Sequence, residues 1–348
     1  MNKIQIQDIQ EFAHSFELAD VLQGSSFLIT GATGLIGSTL IHCLIELNRD
    51  IRIIAPVRNK KKAESIFEDN ANIIELIECD LLSFDYNCIG GVDYVVHCAA
   101  PTSSKFFVEH PVETFNTIII GTSVLLDYVR KYPVKSFVYL SSLEVYGSIS
   151  NDSKPITEDV QGYWNPMSVR SSYPMAKRAA ENLCCLYAHQ YGVPVKVARL
   201  TQTTGAGIAK DDNRVIAQFA RLAAEGKDII LHTTGASARP YCYTIDAISA
   251  ILYILLKGSA GEAYNVANED TYISAKEMAV FLKENYNQNI NVRIELNENM
   301  GYAPVTKQRL STCKLQQLGW RPKYGLREIF NKLNDYLLSL NDRNELFI

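Results

Sequence analysis

The sequence predicts an α/β protein with a doubly wound parallel sheet, followed by a smaller C-terminal α/β lobe. Short apolar runs without polar alternation recur along residues 1–201, as expected for strands buried on both faces. Stretches with helical periodicity separate these runs. The predicted strands are 27–30, 51–57, 73–77, 92–98, 135–141 and 194–200, and the predicted helices include 35–48, 112–131 and 174–191.

The segments outside this alternation have a different character. Residues 4–22 are amphipathic, and we expect them to pack against the body of the protein rather than to serve as a membrane or partner helix. Beyond residue 201 the elements become shorter, which predicts a smaller lobe over the carboxyl edge of the sheet, where open α/β folds bind ligands. A helix predicted over 243–257 returns to the first domain.

Composition and charge exclude several classes of function. The 34 basic and 38 acidic side chains leave a net charge of -4, which offers no electrostatic footprint for nucleic acid or an anionic membrane. The N-terminus lacks signal-peptide features, and the longest apolar run, 250–256, is too short to span a bilayer, so we expect a cytoplasmic protein. The 8 cysteines contain no C-x-x-C pair, so we expect reduced thiols and no metal site.

A glycine-rich turn directly follows the first predicted strand and precedes a predicted helix. Glycines there let the backbone approach a pyrophosphate, whose charge is met by amide groups and by the positive end of the helix dipole. This setting predicts a Rossmann-like dinucleotide-binding domain formed by residues 1–201 and about 243–267, with residues 202–348 as the second lobe. The candidate cofactor-binding residues of the turn are Gly31, Thr33, Gly34, Leu35, Ile36 and Gly37.

The ends of the second and third predicted strands bear on which dinucleotide is bound. An NAD site usually has an acid at the end of the second strand, whereas this chain has Arg58 followed by three lysines. A guanidinium there could accept the 2′-phosphate of NADP, or it could simply begin a solvated basic loop, so both cofactors stay open. Asp80, at the end of the third strand, is either an acceptor for the adenine amino group or a plain strand-end carboxylate.

Tyr173 and Lys177 form a Y-x-x-x-K pair at the start of a predicted helix. Pro174 suits the first turn of that helix, which places the two side chains on one face. A phenol with a pKa of about 10 is a poor base, but a nearby ammonium and an oxidised nicotinamide would both favour the phenolate. Such a tyrosine can take the proton of a sugar hydroxyl as its hydride leaves. Ser142, after the fifth predicted strand, can hold the same oxygen.

Together these motifs resemble those of the extended short-chain dehydrogenases/reductases, the NAD-dependent epimerase/dehydratase family, over nearly the whole chain. The resemblance rests on the glycine turn, Asp80, His-Cys-Ala-Ala at 97–100, Ser-Ser-Leu-Glu-Val-Tyr-Gly at 141–147, the Tyr173/Lys177 pair and Leu-Gly-Trp-Arg-Pro at 318–322. It implies that Leu81, Ala99, Ala100, Tyr173 and Lys177 also bind the cofactor, with NAD+ as the family default. It further implies a homodimer formed through paired helices.

Within this family, several segments are most similar to UDP-glucuronate decarboxylases, among them 100–103, 110–114, 163–166 and 169–173. The similarity implies a cycle in which C4 of the sugar is oxidised, the C5 carboxylate is lost as CO2 and the same hydride returns to C4. It implies catalytic roles for Tyr173, Lys177, Ser142 and Glu144, with Glu144 moving a proton near C5 and C6 unless it is only a turn carboxylate. Substrate contacts are implied for Pro101, Thr102, Arg170, Gln202, Arg214 and Arg239, and a surface salt bridge is the alternative for Arg214 and for Arg239.

Three positions depart from the pattern of these relatives. Leu143 replaces a polar residue that is an aspartate in dehydratases and a serine in decarboxylases. A leucine cannot move a proton, which weighs against 4,6-dehydration strongly and against decarboxylation moderately. Ile118 replaces an asparagine, and Gln202 stands where an asparagine usually contacts the diphosphate.

Other functions stay open beside the decarboxylase. A nucleotide-sugar 4-epimerase needs only Tyr173, Lys177 and Ser142, and it would be indifferent to Leu143. An NADPH-dependent 4-ketoreductase agrees with Arg58 and would oxidise one NADPH per turnover. A binding protein that senses a dinucleotide would have no need for a phenolate.

Overall fold

A computed structural model describes residues 1–297 and 305–345. Its strands are β1 (Ser26–Thr30), β2 (Arg52–Val57), β3 (Ile74–Glu78), β4 (Tyr94–His97), β5 (Ser136–Ser142), β6 (Val195–Leu200), β7 (Gln202–Thr204), β8 (Ile229–Leu231), β9 (Ala238–Tyr243), β10 (Ala263–Val266), β11 (Asn268–Ser274) and β12 (Val292–Ile294). Its helices are α1 (Lys3–Ser15), α2 (Leu35–Glu46), α3 (Lys60–Phe67), α4 (Ser104–Glu109), α5 (Pro111–Lys131), α6 (Ser172–Tyr191), α7 (Val215–Ala224), α8 (Thr244–Lys257), α9 (Ala275–Asn285), α10 (Cys313–Gln317) and α11 (Leu326–Glu345). Parts of the predicted second lobe, 298–304 and 346–348, lie outside the described residues.

Seven parallel strands form the central sheet in the order β10-β6-β5-β4-β1-β2-β3. Successive side chains of a strand point to opposite faces, and in β1 Phe27 and Ile29 enter one apolar cluster while Leu28 enters another. The first cluster includes residues of α2 and α8, and the second includes residues of α5 and α6. Helices therefore cover both faces, and the predicted doubly wound α/β fold is confirmed.

The predicted strands and helices of this sheet match the observed ones to within two residues at each end. One difference concerns Pro174, which is the third residue of α6 rather than its first. Proline is still compatible with that position, because the amides of the first helical turn have no partner within the helix.

The N-terminal helix α1 packs against the body of the protein, as predicted. Its apolar side is buried through Ile9 and Phe12. Asp8 is buried as well, and it accepts hydrogen bonds from the Tyr243 hydroxyl at 2.5 Å and from the Lys332 ammonium at 2.6 Å. These contacts connect α1 to the end of β9 and to α11.

The second half of the chain adds two small sheets, one with the order β11-β9-β7 and one formed by β12 and β8. Strand β10 instead pairs with β6 and lies at one edge of the central sheet. Within residues 1–297 and 305–345, no helix combines the length and the apolar character needed to cross a membrane.

Candidate active site

The glycine turn lies at the carboxyl end of β1, where the strand order reverses between β1 and β4. Gly31 has a φ of +70°, and a Cβ added there would lie 2.7 Å from the Ala99 amide nitrogen. A Cβ on Gly37 would overlap the carbonyl oxygen of Gly31. Both positions therefore require glycine, for backbone conformation and close approach at Gly31 and for close approach alone at Gly37.

The first turn of α2 offers amide groups to an anion. Gly34 is the N-cap residue and supplies no side-chain hydrogen bond, so the amides of Leu35 and Ile36 are left uncapped, with Thr33 half-buried next to the cap. The free amides at the N-terminus of α2 and the glycine turn, where side chains would collide with the backbone, fit the pyrophosphate of NAD(P)+.

The ends of β2 and β3, which lie beside this turn, carry a basic side chain, Arg58, and an acidic one, Asp80. Arg58 and Asp80 are exposed, and the Asp80 carboxylate accepts the Leu82 amide at 3.0 Å. Sequence reasoning missed Glu78, which pairs in register with Val57 and accepts the Lys60 amide at 3.1 Å. The end of the second strand carries no acid in the sequence, whereas sheet pairing brings the Glu78 carboxylate from the end of the third strand to the same edge.

The loop after β4 faces the same turn. The Ala99 amide donates to Thr30 Oγ1 at 3.3 Å, which holds this loop against the end of β1. Ala100 and Pro101 are half-buried and Thr102 is exposed. Leu81 is half-buried, and a Cβ on Gly121 of α5 would lie 3.0 Å from its Cδ2.

Tyr173, Lys177 and Ser142 come together at the carboxyl edge of the sheet. Tyr173 and Lys177 lie on α6 and are both buried, and Ser142 is the last residue of β5. The Ser142 hydroxyl lies close enough to the Tyr173 phenol to lower the pKa of that phenol. The Lys177 ammonium donates to the Leu140 carbonyl at 2.6 Å and lies 5.8 Å from the centre of the Tyr173 ring.

The pKa of Tyr173 is raised above that of an ordinary phenol. Burial is the largest cause, followed by the charge of Glu144, while Ser142 and Arg170 act in the opposite direction. Burial also lowers the pKa of Lys177 to about 8. Lys177 is not among the groups that shift the pKa of Tyr173 here, since its ammonium is directed to a backbone carbonyl, and its effect on the phenol beside a bound cofactor stays a prediction.

Glu144 and Arg170 form an ion pair, with Arg170 Nη2 at 3.1 Å from Glu144 Oε2. Glu144 lies in the turn after β5, and its backbone carbonyl accepts from the Trp164 indole at 2.7 Å. The second guanidinium nitrogen, Nη1 of Arg170, is buried and has no hydrogen-bond partner. A carboxylate and a cation with spare donor capacity thus lie near Tyr173.

Phe107 was not singled out from the sequence, yet it covers the candidate base. Its ring stacks on Tyr173 with centroids 4.2 Å apart and an interplanar angle of 8°. The Arg170 guanidinium carbon lies 5.4 Å from the Phe107 ring centre. A single phenylalanine on a short helix gives no sequence signal, because only the fold shows which ring it meets.

The two apolar departures are accommodated in cores. Leu143 is 3% exposed and belongs to an apolar cluster with Ile156 and Leu310. Ile118 is 1% exposed and packs in the same cluster as Tyr173. Both side chains serve packing, and neither can exchange a proton.

The candidates for diphosphate contacts lie on neighbouring elements. Gln202 begins β7, which pairs with β9, and its Oε1 is buried without a partner. Arg239 is half-buried on β9. Arg214, at the start of α7, donates to Asp212 at 2.6 Å and to the Thr203 carbonyl at 2.7 Å. For Arg214 the salt bridge weighed as its alternative role is therefore present, and an anion would have to compete with Asp212.

All eight cysteines are free thiols. Within the described ranges, no group of three His, Cys, Asp or Glu side chains is arranged to hold a metal ion.

A model of the NAD dependent epimerase/dehydratase family matches residues 27–267. The chain belongs to this family. Membership confirms the predicted family and the prediction of a nicotinamide-dependent enzyme. The matched range starts at β1 and ends just after β10, so it contains the glycine turn and the Tyr173/Lys177 pair.

Relatives in this family carry different activities in their names. The chain is 30% identical to UDP-glucuronic acid decarboxylase 5 of Arabidopsis thaliana over 86% of each chain, and 30% identical to decarboxylase 3 of the same plant over 90% of each. It also resembles the crystal structure of UDP-glucose 4-epimerase with UDP-glucose from Thermotoga maritima, with a TM-score of 0.78 and 25% identity over 91% of this chain and 99% of that one. The predicted similarity to decarboxylases is confirmed, and epimerases share the fold.

Proposed function

We propose that this enzyme oxidises C4 of a nucleotide sugar and returns the same hydride, with UDP-glucuronate decarboxylation as its reaction. The observation that carries this choice of substrate is Arg170. Its guanidinium lies near Tyr173 and keeps Nη1 buried without a partner. An unpaired guanidinium donor beside the candidate base suits a sugar carboxylate. The relatives named UDP-glucuronic acid decarboxylase support the same substrate.

Three side chains supply the chemistry at O4. Tyr173 accepts the proton of the C4 hydroxyl, and Ser142 hydrogen-bonds the same oxygen. Lys177 lies in the same buried face of α6 and supports the cofactor and the phenol. When bound, NAD(P)+ supplies the acceptor, and later the donor, of the C4 hydride.

Loss of CO2 follows from the 4-keto group. That group makes the C5 carboxylate a β-keto acid, and the electrons of the breaking bond move to the ketone oxygen. C5 then takes a proton that originates from water, for which Glu144 is the candidate relay, and Tyr173 returns its proton to O4. The hydride that leaves C4 returns to it, and the one proton consumed replaces CO2 at C5, so atoms and electrons balance.

A 4-epimerase is the second candidate, and the position of Leu143 favours it. This side chain is buried in an apolar cluster, at the position where the resemblance implies a polar residue in decarboxylases and dehydratases. Epimerisation moves no proton at C5 or C6, so it places no demand on this position. It needs Ser142 and Tyr173, together with room for the 4-keto sugar to turn over.

Of the two dinucleotides we propose NAD+. Glu78 brings a carboxylate to the strand edge where the adenosine ribose binds in such folds, and it would repel a 2′-phosphate. Arg58 is exposed and free to turn into solvent. We expect a higher kcat/KM with NAD+ than with NADP+. Glu78→Gln should reduce the ratio of these two kcat/KM values. Equal use of both cofactors by the wild type would contradict this assignment.

We also propose a homodimer through α5 and α6. These helices pack on each other and leave large apolar side chains exposed on their outer surface, including Val112 (64% exposed), Phe115 (39%) and Leu186 (50%). Residues 202–348, apart from the segment 243–267, are proposed to bind the nucleotide sugar. Light scattering of the wild type and of Phe115→Arg tests the dimer, and a monomeric wild type would contradict it.

Incubation with UDP-glucuronate and with a panel of UDP-, dTDP-, GDP- and CDP-sugars, followed by NMR, tests the reaction. UDP-pentose from UDP-glucuronate supports the proposal, and inversion at C4 supports the epimerase instead. Stoichiometric NADPH oxidation would identify a ketoreductase, and no turnover on any sugar would favour a dinucleotide-sensing protein. Tyr173→Phe is expected to abolish turnover while nucleotide binding persists.

A further inference from the structure

A cavity of about 210 Å³ lies between α1, α2, the end of α3 and the start of α8. It is separate from the candidate active site, because none of the candidate catalytic, cofactor or substrate residues lines it. It nevertheless adjoins the glycine turn and the segment that begins at Gln202, which are the candidate cofactor and substrate segments. Ser38 in its wall follows the glycine turn, and Ala206 in its wall follows the Gln202 segment.

Two buried polar atoms in this wall have no partner. His42 is 6% exposed and its Nδ1 is unpaired, and Thr244 is 2% exposed with its Oγ1 unpaired. The His42 ring lies against the Ile66 carbonyl, and with Nδ1 unpaired we assign the ring proton to Nε2. Burial lowers the pKa of His42, so the ring is neutral and Nδ1 is a bare acceptor. Buried polar atoms normally have partners, so these two point to a ligand or ordered solvent.

The Gln5 amide, the Thr244 hydroxyl and the Met1 amino group bring donors to the wall, and its other polar groups are acceptors. The hydroxyl protons of Ser38, Thr39 and Ser65 are donated to helix carbonyls at 2.8, 2.8 and 3.0 Å, which leaves only oxygen lone pairs for the cavity. Asp8 and Glu68 add carboxylates. The Lys332 ammonium pairs with Asp8, and the Met1 amino group lies 3.4 Å from Glu68 and lowers the pKa of His42 through its charge, but neither hydrogen-bonds His42 Nδ1.

We propose that this cavity binds a small organic amine. An ammonium group has three donors and no acceptor, which matches a wall of lone pairs and carboxylates. Ile9, Ile66 and Ile245 supply apolar surface for the body of the molecule. Since an apolar cavity of about 150 Å³ holds benzene, this one admits an amine of roughly ring size.

Three probes of nearly equal size and different head groups test the proposal: benzylamine, benzyl alcohol and benzoate at pH 7. We expect saturable 1:1 binding of benzylamine by calorimetry, accompanied by a shift of the His42 ring signals in NMR. Benzyl alcohol should bind at least tenfold more weakly, and benzoate should not bind. Equal binding of all three, or no saturable binding of benzylamine, would overturn the proposal.

Substitutions locate the site. His42→Phe keeps the ring volume next to Phe67, whose ring centroid lies 5.3 Å away, but removes the Nδ1 acceptor. We expect it to weaken benzylamine binding at least tenfold. Thr39→Val removes one oxygen at constant shape and should weaken binding severalfold, which keeps the test valid if His42→Phe does not fold. His14→Phe, on α1 but outside the cavity, is the matched control and should leave the affinity unchanged. Wild-type affinity in both cavity variants would refute the assignment.

Discussion

Replacing Gly31 by alanine tests why the dinucleotide turn requires glycine. Two separate penalties act at this position. The φ of +70° is a left-handed conformation, which costs an L-residue with a side chain about 1–2 kcal/mol. The added Cβ would also lie 2.7 to 2.9 Å from backbone atoms of Cys98 and Ala99, and such overpacking costs about 1–3 kcal/mol. We therefore expect Gly31→Ala to lower the free energy of unfolding by about 2–5 kcal/mol.

Two other glycines separate these penalties. Gly24 has a φ of +64° but no atom within 4 Å of an added Cβ, so Gly24→Ala should lose only about 1–2 kcal/mol. Gly91 has open space and no left-handed φ, so Gly91→Ala should be neutral or stabilising by up to about 1 kcal/mol. Urea unfolding of the three variants and the wild type measures the series.

The same series tests the function of the turn. Relief of the Gly31 overlap must move the backbone that cradles the pyrophosphate, so Gly31→Ala should weaken NAD+ binding at least tenfold in calorimetric titration. Gly24→Ala and Gly91→Ala should bind NAD+ like the wild type. The steric reasoning is refuted if Gly31→Ala loses no more stability than Gly24→Ala. The assignment of the pyrophosphate site is refuted if all three variants bind NAD+ equally.

Further predictions concern buried charge and ring packing. Arg199 is buried and forms an ion pair with Glu181 at 2.7 Å, which Glu181→Leu removes. This variant should lower the free energy of unfolding, measured in urea, by about 3–5 kcal/mol, because it leaves a buried charge without its counter-ion. A loss below about 1 kcal/mol would contradict this prediction. Phe107→Leu removes the ring stacked on Tyr173 and should reduce kcat about tenfold and shift the pH–rate profile while KM changes little, whereas an unchanged profile would deny Phe107 a positioning role. Burial raises the pKa of Asp246 to about 6, so its contribution to stability is complete below its ordinary pKa near 4 and falls as pH rises toward 6. Relative to Asp246→Asn, the wild type should lose about 2 kcal/mol between pH 4 and pH 7, and a constant difference would contradict the shift.

Sequence patterns were sufficient for β1, β2, β4, β5 and β6 because these strands are buried on both faces over most of their length, whereas β10, at one edge of the sheet, was not predicted. Such strands read as uninterrupted apolar runs, and the glycine turn marks the first of them unambiguously. The catalytic pair could be found because Tyr173 and Lys177 are four residues apart on one helix, so local geometry alone places them together.

Contacts between residues that are far apart in the sequence could not be predicted in the same way. Glu78 reaches the cofactor edge only through the register of β3 with β2. Phe107 meets Tyr173 across two helices, and the pairing of Arg170 with Glu144 depends on how the loop between them folds. The direction of the Lys177 ammonium was also beyond the sequence, because its acceptor is a backbone carbonyl rather than a side chain.

Isotope tracing of the C4 hydrogen tests the central claim most directly. UDP-glucuronate or UDP-glucose carrying deuterium at C4 is incubated with the enzyme and analysed by NMR and mass spectrometry. Transient removal and return of one hydride predicts that the product, pentose or epimer, retains deuterium at C4 while no reduced dinucleotide accumulates. Deuterium lost to water or trapped in released NADH would contradict the account.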